Sequence, residues 1–197
     1  MAEHYYTDTP TSAHEPRRVQ VQLGNRCLTF ETDAGTFSKA HLDPGSRLLI
    51  DTVPPLSGRC ADIGCGWGAI GVCLAVKNPG LTVEMVDVNQ RAVALAAGNA
   101  RQNGVENARA TISDALSAVE GPLDACVTNP PIRAGKAVVY GFFAQAAEKL
   151  VPGGRLYAVV RKQQGAPSAV KYLSTLFAQV RILEKEAGYW ILEAVKE

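Results

Sequence analysis

Long apolar runs are missing from this sequence. The most apolar stretch, Ala61 to Val76, is interrupted by Asp62 and four glycines, which excludes a membrane-spanning helix of about 18 or more apolar residues. Histidine is scarce, at His4, His14 and His41, and the cysteines (Cys27, Cys60, Cys65, Cys73, Cys126) form no CxxC pair, so no metal site is expected. A charge excess is missing too: 20 Lys and Arg stand against 19 Asp and Glu, a net charge of +1. That balance excludes a protein that grips nucleic acid by bulk attraction, and any such binding needs a local basic patch. No internal repeat or low-complexity segment is present, and the opening MAEHYYTDTP, with early acids and no apolar segment, does not read as a signal peptide. An odd number of thiols without such a signal leads to the expectation of a reducing, cytoplasmic location.

What is present is enough for one packed domain. The chain has 197 residues, 47% of them hydrophobic and 20% charged, which suffices for a sizeable core. Residues 1–18 read as a loosely held polar arm. Two short alternating runs, Val19–Leu23 and Cys27–Glu31, flank Gly24-Asn25, which is hairpin chemistry. A loop at 35–39 leads to a short helix over Arg47–Val53, stopped by Pro54-Pro55. The expected organisation is therefore an N-terminal segment, 1–55, of arm, hairpin and short helix that packs on a catalytic domain, 56–197.

From residue 59 the pattern becomes strict alternation. Strands are expected at 59–63, 82–86, 108–112, 123–128 and 155–160. Helices follow to about Lys77, from an Asn89 cap to Asn103-Gly104, over Ala137–Leu150 up to Pro152-Gly153-Gly154, and over Ser168–Phe177. A weak helix or turn follows Asp114. The last two strands, 179–185 and 189–195, are joined at Ala187-Gly188 as a hairpin. The fold class is α/β: a doubly wound, Rossmann-like, seven-stranded and mostly parallel sheet, with one antiparallel strand from the C-terminal hairpin and a short N-terminal β-hairpin extension. In such sheets ligands sit beyond the carboxyl ends of the strands, at the switch point. The candidate positions are then Gly64–Gly68, Asp87, Asp114, Asn129–Ile132 and Arg161.

The first of these, Asp62-Ile63-Gly64-Cys65-Gly66-Trp67-Gly68, lets the backbone turn tightly and approach a ligand before a helix N-terminus. Asp87 ends the next strand, where a carboxylate can accept both ribose hydroxyls, and Asp114 ends the third, where it can accept an adenine amine. Gly64-x-Gly66-x-x-Ala69 also satisfies a relaxed dinucleotide fingerprint, so a dehydrogenase stays open here. Asn129-Pro130-Pro131-Ile132 discriminates. Two prolines fix two φ angles and remove two donors, leaving a rigid row of acceptors that can hold an exocyclic amine and aim its lone pair at an electrophile. Positioning supplies most of the rate when the nucleophile is an amine and the electrophile a sulfonium methyl. Hydride transfer has no use for that arrangement.

The set DIGCGWG, VDVNQ, SDA and NPPI resembles the class I S-adenosylmethionine-dependent methyltransferases that act on amino groups. With GTFSKAHLDPGSRLLIDTV, NPPIRAGK and PGGRLYAVVRKQQGA, the chain resembles the "methyltransferase small domain" family over roughly residues 4–195, a family that includes ribosomal RNA guanine-N2 methyltransferases. Larger members carry a second, N-terminal methyltransferase-like domain, and this chain resembles the catalytic half. The resemblance implies that Asp62, Gly64, Cys65, Gly66 and Gly68 surround the methionine part of S-adenosylmethionine. It also implies that Asp87 with Val88 holds the ribose, that Asp114 with Ala115 borders the adenine, and that Asn129, Pro130 and Pro131 grip the target amine. Where the family usually has an aromatic residue that stacks on a flipped base, this chain has Ile132, which packs on a base but stacks less well.

A flipped base needs cations for the surrounding phosphates. Arg133 and Lys136 follow Asn129–Ile132, and Arg161 and Lys162 end the fifth strand at the same edge, while the resemblance places Phe37 and Lys39 near cofactor and substrate. The expected partner is ribosomal RNA or a ribosomal subunit, with no membrane and no metal, and the chain acting as a monomer or weak homodimer. His4-Tyr5-Tyr6 either closes over the cofactor, stacks on RNA or packs on the surface. The reading is a guanine-N2 methyltransferase of ribosomal RNA. The alternatives are an N-methyltransferase of a protein glutamine or a small-molecule amine, and a non-catalytic RNA-binding module of the same fold.

Overall fold

Alternating apolar residues build a local hairpin first, β1 (Arg17–Leu23) and β2 (Arg26–Thr32), with Val19, Val21, Leu28 and Phe30 all facing inward. The structure, a computed structural model, describes residues 14–36, 38 and 40–197, and the segment His4-Tyr5-Tyr6 lies outside them. The chain continues through α1 (Pro44–Thr52), β3 (Gly58–Ile63), α2 (Ala69–Lys77), β4 (Leu81–Asp87), α3 (Gln90–Gln102), β5 (Ala108–Ile112), β6 (Leu123–Thr128), α4 (Lys136–Lys149), β7 (Leu150–Arg161), α5 (Ala166–Leu173), β8 (Gln179–Glu186) and β9 (Tyr189–Val195).

The main sheet has seven strands in the order β5-β4-β3-β6-β7-β9-β8. β3 pairs in parallel with both β4 and β6, and β9 alone runs against its neighbours. Strand order reverses direction at β3 and β6, so their carboxyl ends meet at the switch point. Two apolar cores follow from the double winding. One gathers α1, α2, α3 and the hairpin, through Phe30, Leu49, Ile50, Leu74 and Ala96. The other, on the opposite face, gathers α4 and α5 through Phe142, Phe143, Ala146 and Leu173.

Two asparagines attach the hairpin. Asn99 and Asn103 stand four residues apart on α3, hence on one face. The Asn99 amide accepts from Glu31 N at 2.7 Å and donates to Glu31 O at 2.9 Å; Asn103 does the same to Thr29 at 3.0 and 2.8 Å. Each side-chain amide thus stands in for a neighbouring strand and satisfies the β2 edge.

Three element boundaries differ from the sequence reading by three residues or more. α1 begins at Pro44 rather than Arg47, because Asp43 caps it through Ser46 N and Pro44 takes the first helical turn, where a missing N–H costs nothing. β7 begins at Leu150 and runs through Pro152-Gly153-Gly154, with a register shift opposite Leu123 and Ala125. The shift keeps the glycines in the sheet while Gly153 N and Lys196 N exchange bonds with Lys196 O and Gly154 O. α5 closes at Leu173, and turns carry the chain on to Phe177.

Candidate active site

The glycine loop is held to its neighbouring strand. Gly64 N and Cys65 N both donate to Val86 O, at 2.8 and 3.0 Å, and Gly66 N donates to Asp87 Oδ2 at 2.9 Å. Gly66 has φ +54°, and a Cβ there would point into open space, so the bare backbone is presented to whatever fills the cavity. Gly68 is different: at φ +87° its absent Cβ would stand 2.9 Å from the Ala96 methyl, so this glycine lets α2 close on α3.

Beneath the loop lies Asp62, fully buried. Its Oδ2 accepts from Gly71 N at 2.8 Å, while Oδ1 has no hydrogen-bond partner among the described residues. Burial pushes its carboxyl up to about 7, with the nearby Asp87 charge adding to the effect and the Gly71 bond opposing it. Asp87 is half-buried. Burial raises its carboxyl also, against bonds from the Asn89, Gly66 and Val88 amides. A buried carboxylate with one orphaned oxygen is costly without a donor or cation above it.

Asn129 stands at the end of β6, across the switch point, and the structure fixes its amide. Nδ2 donates to Asp43 Oδ2 at 3.0 Å and to Ser46 Oγ at 2.8 Å. Both donor hydrogens are therefore used, and Oδ1 is left as an acceptor with no partner among the described residues. Asp43 is itself fixed as the cap of α1. Tyr189 completes the group: its hydroxyl lies 3.5 Å from Asp43 Oδ1 and accepts from Arg161 Nη2, and the Arg161 guanidinium lies 4.5 Å from the centre of its ring. Gly45 makes room for that ring, since a Cβ there would lie 2.6 Å from Tyr189 Cε1.

One cavity of about 440 Å³ joins these groups. Of the residues expected from sequence, Gly64, Cys65, Gly66, Asp87, Asn129, Pro130, Pro131, Ile132, Arg133 and Arg161 line it. Asp62 lies under the loop. Gly68, Val88, Asp114 and Ala115 stand outside the wall, Asp114 exposed and Ala115 buried. Lys136 and Lys162 are exposed next to lining residues but are not part of the wall. Phe37 and Lys39 lie outside the described residues.

Trp67, within the expected Gly64–Gly68 segment, lines the cavity too, and Asp43, Ser46 and Tyr189 line it without having been expected. Asp43-Pro44 carries a helix-start signal that would have brought Asp43 forward. Tyr189 escapes a search of strand carboxyl ends because β9 is antiparallel. Its first residue, not its last, pairs with Arg161 at that edge. Among the described residues no cluster of His, Cys, Asp and Glu could hold a metal ion, and no helix is long and apolar enough to cross a membrane.

The arrangement offers acidic groups and open backbone on one side, an oriented acceptor in the middle, and two arginines at the mouth. The chain as a whole is similar to known proteins. A protein of Bacillus subtilis, YbxB, is 44% identical over the full length of both chains. The ribosomal RNA small subunit methyltransferases C of Chromohalobacter salexigens and Aeromonas hydrophila are 33% and 34% identical, over 98% and 87% of this chain but 59% and 50% of theirs. The chain thus spans between half and three fifths of those two relatives. Among solved structures, the T. thermophilus 16S rRNA N2 guanine methyltransferase RsmC, in complex with AdoMet and guanosine, superposes with a TM-score of 0.83 at 28% identity, covering 95% of this chain and 52% of that one. A Pyrococcus furiosus methyltransferase shares the fold, with a TM-score of 0.66 at 21% identity over 76% of this chain and 80% of that one. The methyltransferase small domain model matches residues 27–193, and the chain belongs to that family.

Proposed function

We propose that this chain is an S-adenosylmethionine-dependent methyltransferase whose target is the exocyclic N2 amine of a guanine in ribosomal RNA. The observation that carries the reading is the oriented Asn129 amide. With Nδ2 held by Asp43 and Ser46, Oδ1 can only accept, which is what gripping an amine requires. The relatives named as ribosomal RNA methyltransferases and the neighbour solved with AdoMet and guanosine support both the cofactor and the substrate class.

The residues present fit S-adenosylmethionine. Bound there, it supplies an electrophilic methyl group on a sulfonium centre. The orphaned Asp62 Oδ1 and the bare Gly66 backbone suit its cationic methionine end and Asp87 its ribose, whereas Val88, Asp114 and Ala115 stand outside the cavity wall. Asn129 Oδ1 and the Pro130 carbonyl hold the amine in one orientation. Ile132 packs beside the base, and the rigid Pro130-Pro131 backbone limits the freedom left to it. Arg133 and Arg161, both exposed at the mouth, receive the phosphates flanking the flipped nucleotide.

Incubation of the protein with methyl-labelled S-adenosylmethionine and ribosomal subunits or bare rRNA, followed by mapping of the labelled nucleotide, tests the reading. Label on N2 of a guanine is expected. Asn129→Ala should reduce transfer by about 100-fold or more while its calorimetric affinity for the cofactor stays near that of the wild type. Label on a protein glutamine, or undiminished transfer by the variant, would sink it.

A further inference from the structure

Building on that reading, we propose that Asp43 selects guanine among primary-amine substrates, by accepting the ring N1–H next to the amine that Asn129 holds. The two Asp43 oxygens are used unequally. Oδ2 is committed, accepting from Ser46 N and from Asn129 Nδ2, both at 3.0 Å. Among the described residues, Oδ1 has only a 3.5 Å approach from the Tyr189 hydroxyl, at the outer limit of a hydrogen bond. Asp43 lines the same cavity as Asn129 and Pro130 and is half-buried there. The cavity therefore presents two neighbouring acceptors, the Asn129 amide oxygen and a carboxylate oxygen, held together by the bond between their side chains.

Two adjacent acceptors match one substrate pattern. Guanine offers its N2 amine beside N1–H, two donors in a row. The adenine N6 amine stands beside N1, the cytosine N4 amine beside N3, and a glutamine amide nitrogen beside its own carbonyl oxygen, so each pairs a donor with an acceptor. An acceptor facing the Asp43 carboxylate leaves both unpaired and repelling, the arrangement by which a polar site rejects a near-analogue. A hydrogen bond from N1–H to a carboxylate also pushes electron density through the ring toward N2, which makes that amine a better nucleophile. Geometry is kept rigid from behind. Gly45 admits the Tyr189 ring, and the Arg161 guanidinium covers it at 4.5 Å.

Asp43→Asn is the informative variant. Asparagine is as good a helix cap as aspartate. Its Oδ1 must take the place of the committed oxygen to keep the bonds from Ser46 N and Asn129 Nδ2. Its Nδ2 then takes the place of the freer oxygen and presents a donor to the base. The affinities of guanosine and of 2-aminopurine riboside, which keeps the 2-amine but has an acceptor at N1, are measured by calorimetry on the full chain saturated with S-adenosylhomocysteine. The wild type is expected to prefer guanosine by about 10- to 100-fold, and in Asp43→Asn that ratio is expected to fall by about tenfold or more. A merely structural role would weaken both ligands together and leave the ratio unmoved. An unchanged ratio, or no guanosine binding by the wild type, overturns the assignment. If the wild type meanwhile labels an rRNA guanine, the function stands and only the role of Asp43 falls. If it labels no guanine under any condition, both fall together.

Discussion

Asp62 is a carboxylate held where water does not reach it, and its behaviour with pH follows. Its folded value of about 7 lies above the ordinary 3.8 because burial disfavours the charged form. The folded state therefore binds this proton more tightly than the unfolded chain. The stabilisation it gives is fully present below 3.8 and is lost as pH rises from there through about 7. Asp62→Asn cannot ionise and should not follow that course. Thermal melts of the two cofactor-free proteins at a series of pH values are expected to show the wild type losing Tm relative to the variant across this window. A difference in Tm that stays constant over it would count against the buried charge. A cation bound in the cavity above the loop would favour the ionised form and so oppose the loss. Asn129 makes the complementary point. Its identity is plain in the NPPI motif, but the direction of its amide comes from Asp43 and Ser46 on another element.

At the scale of elements, the N-terminal hairpin is attached through side chains that imitate a strand. Asn99 is buried and makes three bonds, to Glu31 N, Glu31 O and Trp67 O. Asn99→Ala removes them and leaves the backbone groups of Glu31 unpaired in part-buried surroundings. At roughly 1 kcal/mol per bond, a loss of about 2–3 kcal/mol is expected, read as a lowered midpoint in urea. A change within about 0.5 kcal/mol would show that β2 does not depend on this side chain. The hairpin matters to the site because the loop after it is tied to α3 at the cavity rim. Asn89 Nδ2 donates to Gly35 O and Arg91 Nη1 to Ala34 O, and Thr36 and Ser38 line the cavity. The alternating runs around Gly24-Asn25 are enough to read the hairpin itself. Its docking is not readable, because Asn99 and Asn103 fit an ordinary solvated helix face until β2 arrives against them.

Across the whole molecule, charge is arranged rather than accumulated. With 20 basic against 19 acidic residues, the RNA binding proposed above would rest on placement. Asp43, Asp62 and Asp87 lie in or under the cavity, while Arg133 and Arg161 stand at its mouth and Lys136 and Lys162 just beyond. Substitution of Arg133 and Lys136 together by alanine should weaken rRNA binding. It should also lower the slope of log affinity against log salt by about 1 for each phosphate no longer neutralised. Filter binding across a salt series reads this directly, and an unchanged slope would remove both residues from the RNA surface. Arg161 is the poorer test, since it also braces Tyr189.

Sequence alone determined the strand–helix alternation, the glycine loop, the acid that ends β4 and the Asn-Pro-Pro-Ile tetrapeptide. Each is a local pattern, written within a few consecutive residues by periodicity, caps and turn chemistry. Tertiary structure decided what surrounds Asn129. Asp43 reaches it from 86 residues away, and Tyr189 meets Asp43 across a separation of 146. Both arrive at the switch point because one caps a helix packed on the sheet and the other opens the strand that runs backwards. Local patterning cannot encode that convergence, since it depends on the order and direction of strands brought together only by folding.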